Sequence, residues 1–391
     1  MEQLENAILV NQLEQKKYKK ETYTKPELFV KIENFIRDKH LIGYGGTAIN
    51  RALPTDVQFY QDSDIPDYDF FSTDAKKDIQ SLADHLYPEF KTIEVKPSMF
   101  QGTYKLFVNY LPLVDMTQLE PELFKNLFVE SFTREGIHYV PYNYLRMSMH
   151  QELSRPLGDL SRWKKVFQRL ELLNRHHPFL IRKCDIRPIL QVPQKLVKQV
   201  IQKLKEYVLL GDYSMYYWQD LFPDKYKEKQ QPVIFLLSET IEEIWTKLKE
   251  FDVKYTFYEN KLIKVYEVYI ETYPMVYVIL ADSCMNYNVY QKHKLASYDT
   301  CLSLYYTLSF VNIKHLSKRK LLSYCYLLNQ IKDDSHSLMT RFQLPCYGKQ
   351  ITLEEIRKKR ENDQRKGKKT NFFQYRPSRK KLITRKRIQV R

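Results

Sequence analysis

Asp67 and Asp69 stand two residues apart in the run PDYDFF. On a strand, residues i and i+2 project to one face. Both carboxylates then point together while Phe70 turns to a core. Hard carboxylate oxygens suit Mg²⁺ or Mn²⁺, and a pair of such ions stabilises the attacking and leaving oxygens when a nucleotide is transferred from a triphosphate. A single Asp-x-Asp is more often a solvated acidic pair. Three neighbours change its meaning: Gly45-Gly46 upstream at a helix start, a helix downstream, and Asp115 in the apolar run LPLVDMTQ. Leu113 and Val114 should bury that run, and an aspartate there has to be paired or metal-bound, because an uncompensated buried charge is costly. Asp67, Asp69 and Asp115 are therefore the expected metal ligands and catalytic acids, against surface acids or a structural salt bridge.

Gly45 and Gly46 permit close backbone approach, and the following helix offers free N–H groups to phosphate oxygens, with the Thr47 hydroxyl as a further donor. Alone, the pair would be an ordinary glycine turn. Cations are also needed over a triphosphate opposite the metals. Arg146, Arg162 and Lys165 are candidates, Lys165 first, with a solvated helix face as the alternative. His176 and His177 have no partners at ligand spacing and read as a helix end.

The elements that must hold these residues follow from periodicity. PELFVKIENFIRDKH places Leu28, Phe29, Ile32, Phe35 and Ile36 at helical spacing and runs through the short strand LIGY into the glycines. TAINRAL opens a helix that stops ahead of Pro54. IPDYDFFS is a strand, followed by a helix from Ala75 to Leu86 with the face Ala75, Ile79, Leu82, Ala83 and Leu86, capped by Ser72 or Thr73. KTIEVK, TYKLFVNY and LPLVDMTQ are strands, the last two an antiparallel pair. The first 120 residues are thus α/β with a mixed sheet. Two helical pieces, YNYLRMSMHQEL and SRWKKVFQRLELLNR, flank Pro156 and Gly158. Near Pro232 a second unit repeats the strand, helix, strands order without a Gly-Gly turn or an Asp-x-Asp, so its expected role is a scaffold or an RNA surface. The predicted domains are 1–141 catalytic, 142–231 a helical connector, 232–352 a second, non-catalytic α/β domain, and 353–391 a basic tail.

A chain of 391 residues with 43% hydrophobic and 28% charged residues is globular and has room for more than one core. No run reaches the length of a membrane span, and the polar N-terminus is unlike a signal peptide. An intracellular protein without membrane attachment is expected. Cys184, Cys284, Cys301, Cys325 and Cys346 form no CxxC pair and read as structural thiols in a reducing compartment. Of the net charge of +16, the segment from Leu353 to Arg391 supplies +12 (16 Lys or Arg against 4 Asp or Glu), leaving +4 elsewhere. Its basic residues interleave with Phe372, Phe373 and Tyr375, a composition that tracks phosphates and stacks on bases, or else a solvated targeting run. Three aromatics so close together should dock on the body rather than stay exposed.

GYGGTAINRALP, IPDYDFFS, GTYKLFVNYLPLVDMT, YLRMSMHQELSRP, SRWKKVFQRL, ADSCMNYN, KLASYDTCLSLYYT, RFQLPCYGKQITLEEIR and FFQYRP together resemble the catalytic subunit of large-DNA-virus poly(A) polymerases, a family with giant-virus and asfarvirus-like members. The resemblance runs from about Lys25 to Pro377. It implies an α/β (α+β) nucleotidyltransferase fold with a mixed sheet, a helical connector and a second, degenerate nucleotidyltransferase-like α/β domain. By it, Gly45, Gly46 and Thr47 form the phosphate turn and Asp67, Asp69 and Asp115 bind two Mg²⁺ or Mn²⁺ ions. It implies transfer of AMP from ATP to an RNA 3′ hydroxyl with release of pyrophosphate, Asp115 also helping to deprotonate that hydroxyl. The family pattern Arg-Trp-acidic-Lys-Val has Lys164 in its third position here, leaving Lys164 and Lys165 as alternatives at the nucleotide. The resemblance further implies RNA and ATP as partners, a homodimer or a second viral processivity subunit, and residence in the host cytoplasm, a viral factory or the virion. A non-catalytic RNA-binding subunit and a nucleotidyltransferase of other base or acceptor specificity are the alternatives.

Overall fold

The structure, a computed structural model, describes residues 2–23, 26–60, 68–90, 92–184, 191–218, 222, 233–331, 341–342, 344–366 and 374–377. The chain divides into two units, Met1–Pro141 with Leu353–Arg391, and Tyr142–Thr352.

In the first unit α1 (Glu2–Tyr23) precedes α2 (Pro26–Asp38), which buries Leu28, Ile32 and Ile36 at the spacing of one helix face. β1 (Ile42–Tyr44) leads into α3 (Gly45–Ala52), which ends ahead of Pro54. β2 (Tyr68–Ser72) is followed by α4 (Ala75–Leu86), whose buried face is Ala75, Ile79, Leu82, Ala83 and Leu86. The expected cap differs in detail. Ser72 Oγ accepts from the Asp74 N–H at 2.9 Å and donates to Asp78, while Gln118 accepts from the Ala75 N–H at 2.8 Å. The helix start is thus held partly from a neighbouring strand, which local sequence does not reveal. β3 (Ile93–Pro97), β4 (Thr103–Val108) and β5 (Leu111–Gln118) form an antiparallel meander. Asn109 and Tyr110, both at positive φ (49° and 66°), make the two-residue turn between β4 and β5. α5 (Pro121–Val129), β6 (Phe132–Arg134) and β7 (Ile137–Tyr139) complete the unit's first segment. The sheet order is β3-β4-β5-β2-β1-β7-β6. β2–β5 and β1–β7 are parallel and the other pairs antiparallel, giving the mixed sheet expected.

The second unit begins with α6 (Tyr142–Leu153) and α7 (Trp163–His176), the two helical pieces expected, then α8 (Gln194–Leu204). β8 (Val208–Leu210) and α9 (Asp212–Tyr217) follow, so the second sheet takes in residues upstream of Pro232. β8 is three apolar residues, too short to show a period. β9 (Ile234–Ser238), α10 (Glu242–Leu248), β10 (Val253–Glu259), β11 (Lys264–Ile270) and β12 (Tyr273–Leu280) repeat the order of the first unit. β13 (Met285–Tyr290), β14 (His293–Ala296), α11 (Tyr298–Ser309), α12 (Lys318–Leu328) and β15 (Cys346–Tyr347) close it. The order β10-β11-β12-β9-β8-β14-β13-β15 matches the first sheet strand for strand, with β15 added at one edge.

One expectation is overturned here. Cys284 and Cys346 form a disulfide with a Cα–Cα distance of 5.2 Å, so not all five cysteines are free thiols. The pairing of β13 with β15 brings them together across a separation of 62 residues, which spacing alone could not show. Cys301 and Cys325 are buried and free. No described helix is long and apolar enough to cross a membrane.

The tail returns to the first unit. α13 (Leu353–Arg365) carries Arg360, which donates to the Ser98 carbonyl at 2.9 Å. Tyr375 pairs its backbone with Val95 through bonds of 2.8 and 3.0 Å, covering the free edge of β3, and its ring is buried. Its hydroxyl donates to Asp84, while Gln374 and Arg376 donate to Glu94. Phe372, Phe373 and residues 378–391 lie outside the described residues. Hydrogen bonds from Lys96, then from Arg376 and Gln374, hold the Glu94 carboxyl at about 2, below its ordinary 4.5, against the opposing effect of burial. A carboxyl depressed on folding stabilises above its unfolded value and loses that contribution as pH falls through its folded value. The stability difference between wild type and Glu94→Gln, read from urea midpoints, should be complete above pH 4.5 and close as pH falls towards about 2.

Candidate active site

β4, β5 and β2 are adjacent, and their register sets Lys105, Asp115 and Asp69 in a row on one face. Asp69 and Asp115 are direct partners across the parallel pair, and Lys105 opposes Asp115 across the antiparallel pair. The Lys105 ammonium donates to both Asp115 oxygens, at 2.8 and 2.6 Å. Phe70, Leu106 and Met116 alternate to the opposite face and are buried. Beside the row, Tyr44 Oη and Thr117 Oγ1 lie 2.9 Å apart, Thr117 and Thr103 hydroxyls 2.8 Å, and the Tyr44 ring stacks on Phe71 at 3.9 Å. Hydroxyls and a stacked ring thus form the next row along the strands, two residues from Lys105, Asp115 and Asp69.

Gly45 follows Tyr44, the β1 partner of Asp69, at φ +72°. A Cβ at Gly45 would lie 2.4 Å from Asp69 Oδ2, so a side chain is excluded by conformation and by space. The turn delivers the first turn of α3, with Gly46 and the half-buried Thr47, beside the carboxylates. In α3, Asn50 accepts from the Phe59 and Tyr60 N–H groups at 2.8 and 3.0 Å, anchoring the segment that leads towards β2. Asp67 lies outside the described residues. The described groups fit a divalent cation: two carboxylates in register, one already holding an ammonium, beside a backbone that admits no side chain.

The other candidate cations are in the second unit. Lys164 and Lys165 are both exposed on α7. Arg162 pairs with Glu152 at 2.7 Å. Arg146 is buried and donates to Asn174, Asn143 and the His177 carbonyl, a network that ties α6 to the end of α7. It is a structural arginine. The His177 ring stacks on Tyr142 at 4.0 Å. Sequence reading missed His150, which is buried and bonded through Nδ1 to Asp299 at 2.8 Å, with Arg341 forked onto the same carboxylate. Burial pushes His150 down, favouring the neutral ring with its Nδ1 proton on Asp299. No partner stands at short range in sequence, so no local signal could have found it.

The shared topology gives every residue of the row a counterpart in the second unit. Following the pairings, Phe235 occupies the place of Asp69, Tyr277 that of Asp115 and Glu267 that of Lys105. Gly211, at φ +72°, occupies the place of Gly45, and its Cβ would lie 2.1 Å from the Phe235 ring. The counterpart is filled. Phe235 stacks on Tyr277 at 4.9 Å, both buried, and the Gly211 N–H is taken by the Tyr305 hydroxyl at 2.7 Å. Buried Glu267 accepts from Tyr258, Tyr269 and Tyr277 and from the His315 N–H.

The sheet, the glycine turn and the in-register acids define a nucleotidyltransferase-type fold, and the chain shares it with the Megavirus polyadenylate synthase. That likeness has a TM-score of 0.77 at 20% identity over 94% of this chain and 84% of the other. Residues 30–159 match the family described as Poly(A) polymerase catalytic subunit. The chain is also 29% identical over 192 residues to a candidate poly(A) polymerase catalytic subunit of Acanthamoeba polyphaga mimivirus, covering 47% of this chain and 32% of that protein. It is 28% identical over 155 residues to the corresponding protein of African swine fever virus (strain Badajoz 1971 Vero-adapted), covering 38% and 32%. The matches span about a third of the length of these curated relatives.

Gly45→Ala and Gly211→Ala should each lose about 1–3 kcal/mol in urea unfolding, since both force a left-handed residue against a packed neighbour.

Proposed function

We propose that this chain is the catalytic subunit of a poly(A) polymerase, transferring AMP from ATP to RNA 3′ ends with release of pyrophosphate. The observation that carries this proposal is the register of Asp69 with Asp115 beside the Gly45 turn. Asp67, two residues before Asp69, supplies the third carboxylate, and the set holds two Mg²⁺ or Mn²⁺ ions. When bound, such ions neutralise charge developing on the attacking and leaving oxygens. Asp115 also helps take the proton of the RNA 3′ hydroxyl as that oxygen attacks the α-phosphorus. Gly45, Gly46 and Thr47 offer N–H and hydroxyl donors to the phosphates, and Lys165, with Lys164 as its alternative, supplies positive charge to the nucleotide.

The second unit, with its counterpart site filled, is proposed as non-catalytic. Its role as an RNA surface is supported by a strip of rings on α10, β10 and β11. Trp245 stacks on Tyr255 at 5.0 Å and Phe257 lies tilted against Tyr266 at 4.5 Å, with Tyr255 56% and Phe257 40% exposed. Such rings accept unpaired bases without sequence preference. The words "catalytic subunit" in the names of the viral relatives support action with a further subunit, and their viral origin supports action inside infected cells.

Purified protein incubated with labelled RNA and each NTP in turn should extend the RNA with ATP alone. Asp69→Ala and Asp115→Ala should fall below about a hundredth of wild-type incorporation, because metal catalysis supplies several kcal/mol, while RNA binding by filter retention persists. Equal use of all four NTPs, or residual incorporation above that level, would falsify the assignment.

A further inference from the structure

We propose that Lys105 is a built-in counter-ion of the carboxylate centre, displaced from Asp115 when a divalent ion arrives and then available to the polyphosphate of the nucleotide. The proposal rests on the metal-centre reading above and deepens it.

Two carboxylates facing each other across adjacent strands repel unless a cation sits with them. Lys105 supplies that cation, bonded to both oxygens of one acid and to neither of the other. Those two oxygens are the ones a metal ion would need, so ammonium and metal compete for Asp115. The competition is open rather than locked. The side chains of Lys105 and Asp115 are 37% and 20% exposed, which lets the ammonium swing away without crossing a packed core. The next residue outward in the row is Lys96, itself paired with Glu94, so Lys105 is the cation of the row that reaches the carboxylate centre.

The second unit supplies an independent control on the position. Where the acid of β5 is replaced by Tyr277, the residue in the Lys105 place is Glu267, which accepts the Tyr277 hydroxyl at 3.1 Å. The charge at this position follows the group it faces and is not fixed by the sheet. A lysine kept only for strand pairing would have no reason to invert in this way.

The test uses the full-length chain and Mn²⁺ alone, without nucleotide or RNA, counting free ion by electron paramagnetic resonance. Lys105→Met removes the competitor, so Mn²⁺ should bind about two- to fivefold more tightly, the size of one partly exposed ion pair. Binding of a non-hydrolysable ATP analogue with Mn²⁺, measured by calorimetry, should weaken by a similar factor. Lys105→Arg should restore both towards wild type, which a purely structural role would not require of the metal affinity. Lys105→Gln serves the same comparison if the methionine variant fails to fold. Mn²⁺ affinity in the Met and Gln variants equal to or weaker than wild type would overturn the proposal. Asp115→Ala separates the two levels: if it abolishes Mn²⁺ binding while Lys105→Met changes nothing, Lys105 alone is misassigned. If Asp115→Ala binds Mn²⁺ as wild type does, the carboxylate centre itself falls and the Lys105 proposal with it.

Discussion

Two like charges held side by side on one face of a sheet are the constraint around which the first unit is arranged. The parallel register of β2 and β5 fixes Asp69 against Asp115, and strands about 4.8 Å apart leave the carboxylates little room to avoid each other. The chain answers with an ammonium from the next strand, a turn with no side chain, and hydroxyls on the adjoining strand ends. The opposite face is free of such conflict. Phe70, Leu106 and Met116 alternate into a buried layer, with α4 packed on β3, β4 and β5, and that layer fixes the strands so firmly that the acids cannot slip register.

The second unit shows what the same frame becomes once the charges are gone. Topology, register and the left-handed glycine are kept, while the row changes from Lys105, Asp115 and Asp69 to Glu267, Tyr277 and Phe235. The aromatic pair buries fully and its glutamate is satisfied by hydroxyls and an N–H, the arrangement that low polarity demands. The fold therefore does not depend on the acids. Charges that a fold does without, in a position where they repel, are the pattern expected of residues kept for chemistry.

Part of the basic tail is built into the first unit. Its aromatic Tyr375 is a structural piece, adding a bridge to an otherwise open sheet edge and pinning Gln374 and Arg376 on Glu94. Net charge accordingly gives a poor measure of what the segment does, since part of it is spent on ion pairs within its own unit.

Residue order alone determined the local elements and pointed to the candidate acids. The four-residue spacing of α2 and α4, the Asn109-Tyr110 turn and the alternation of β2 and β5 are short-range patterns, and so is the same-face placement expected of Asp67 and Asp69. Tertiary structure decided everything that depends on which strands are neighbours. Asp69 and Asp115 are 46 positions apart, Cys284 and Cys346 62, and Phe235 and Tyr277 meet only because β9 lies beside β12. Lys105 illustrates the division. In sequence it is one lysine among many in a β-rich run, and its partner emerges only from the antiparallel register of β4 on β5. Periodicity reports which way a side chain faces, whereas the identity of what it faces is set by long-range pairing, which no local window contains.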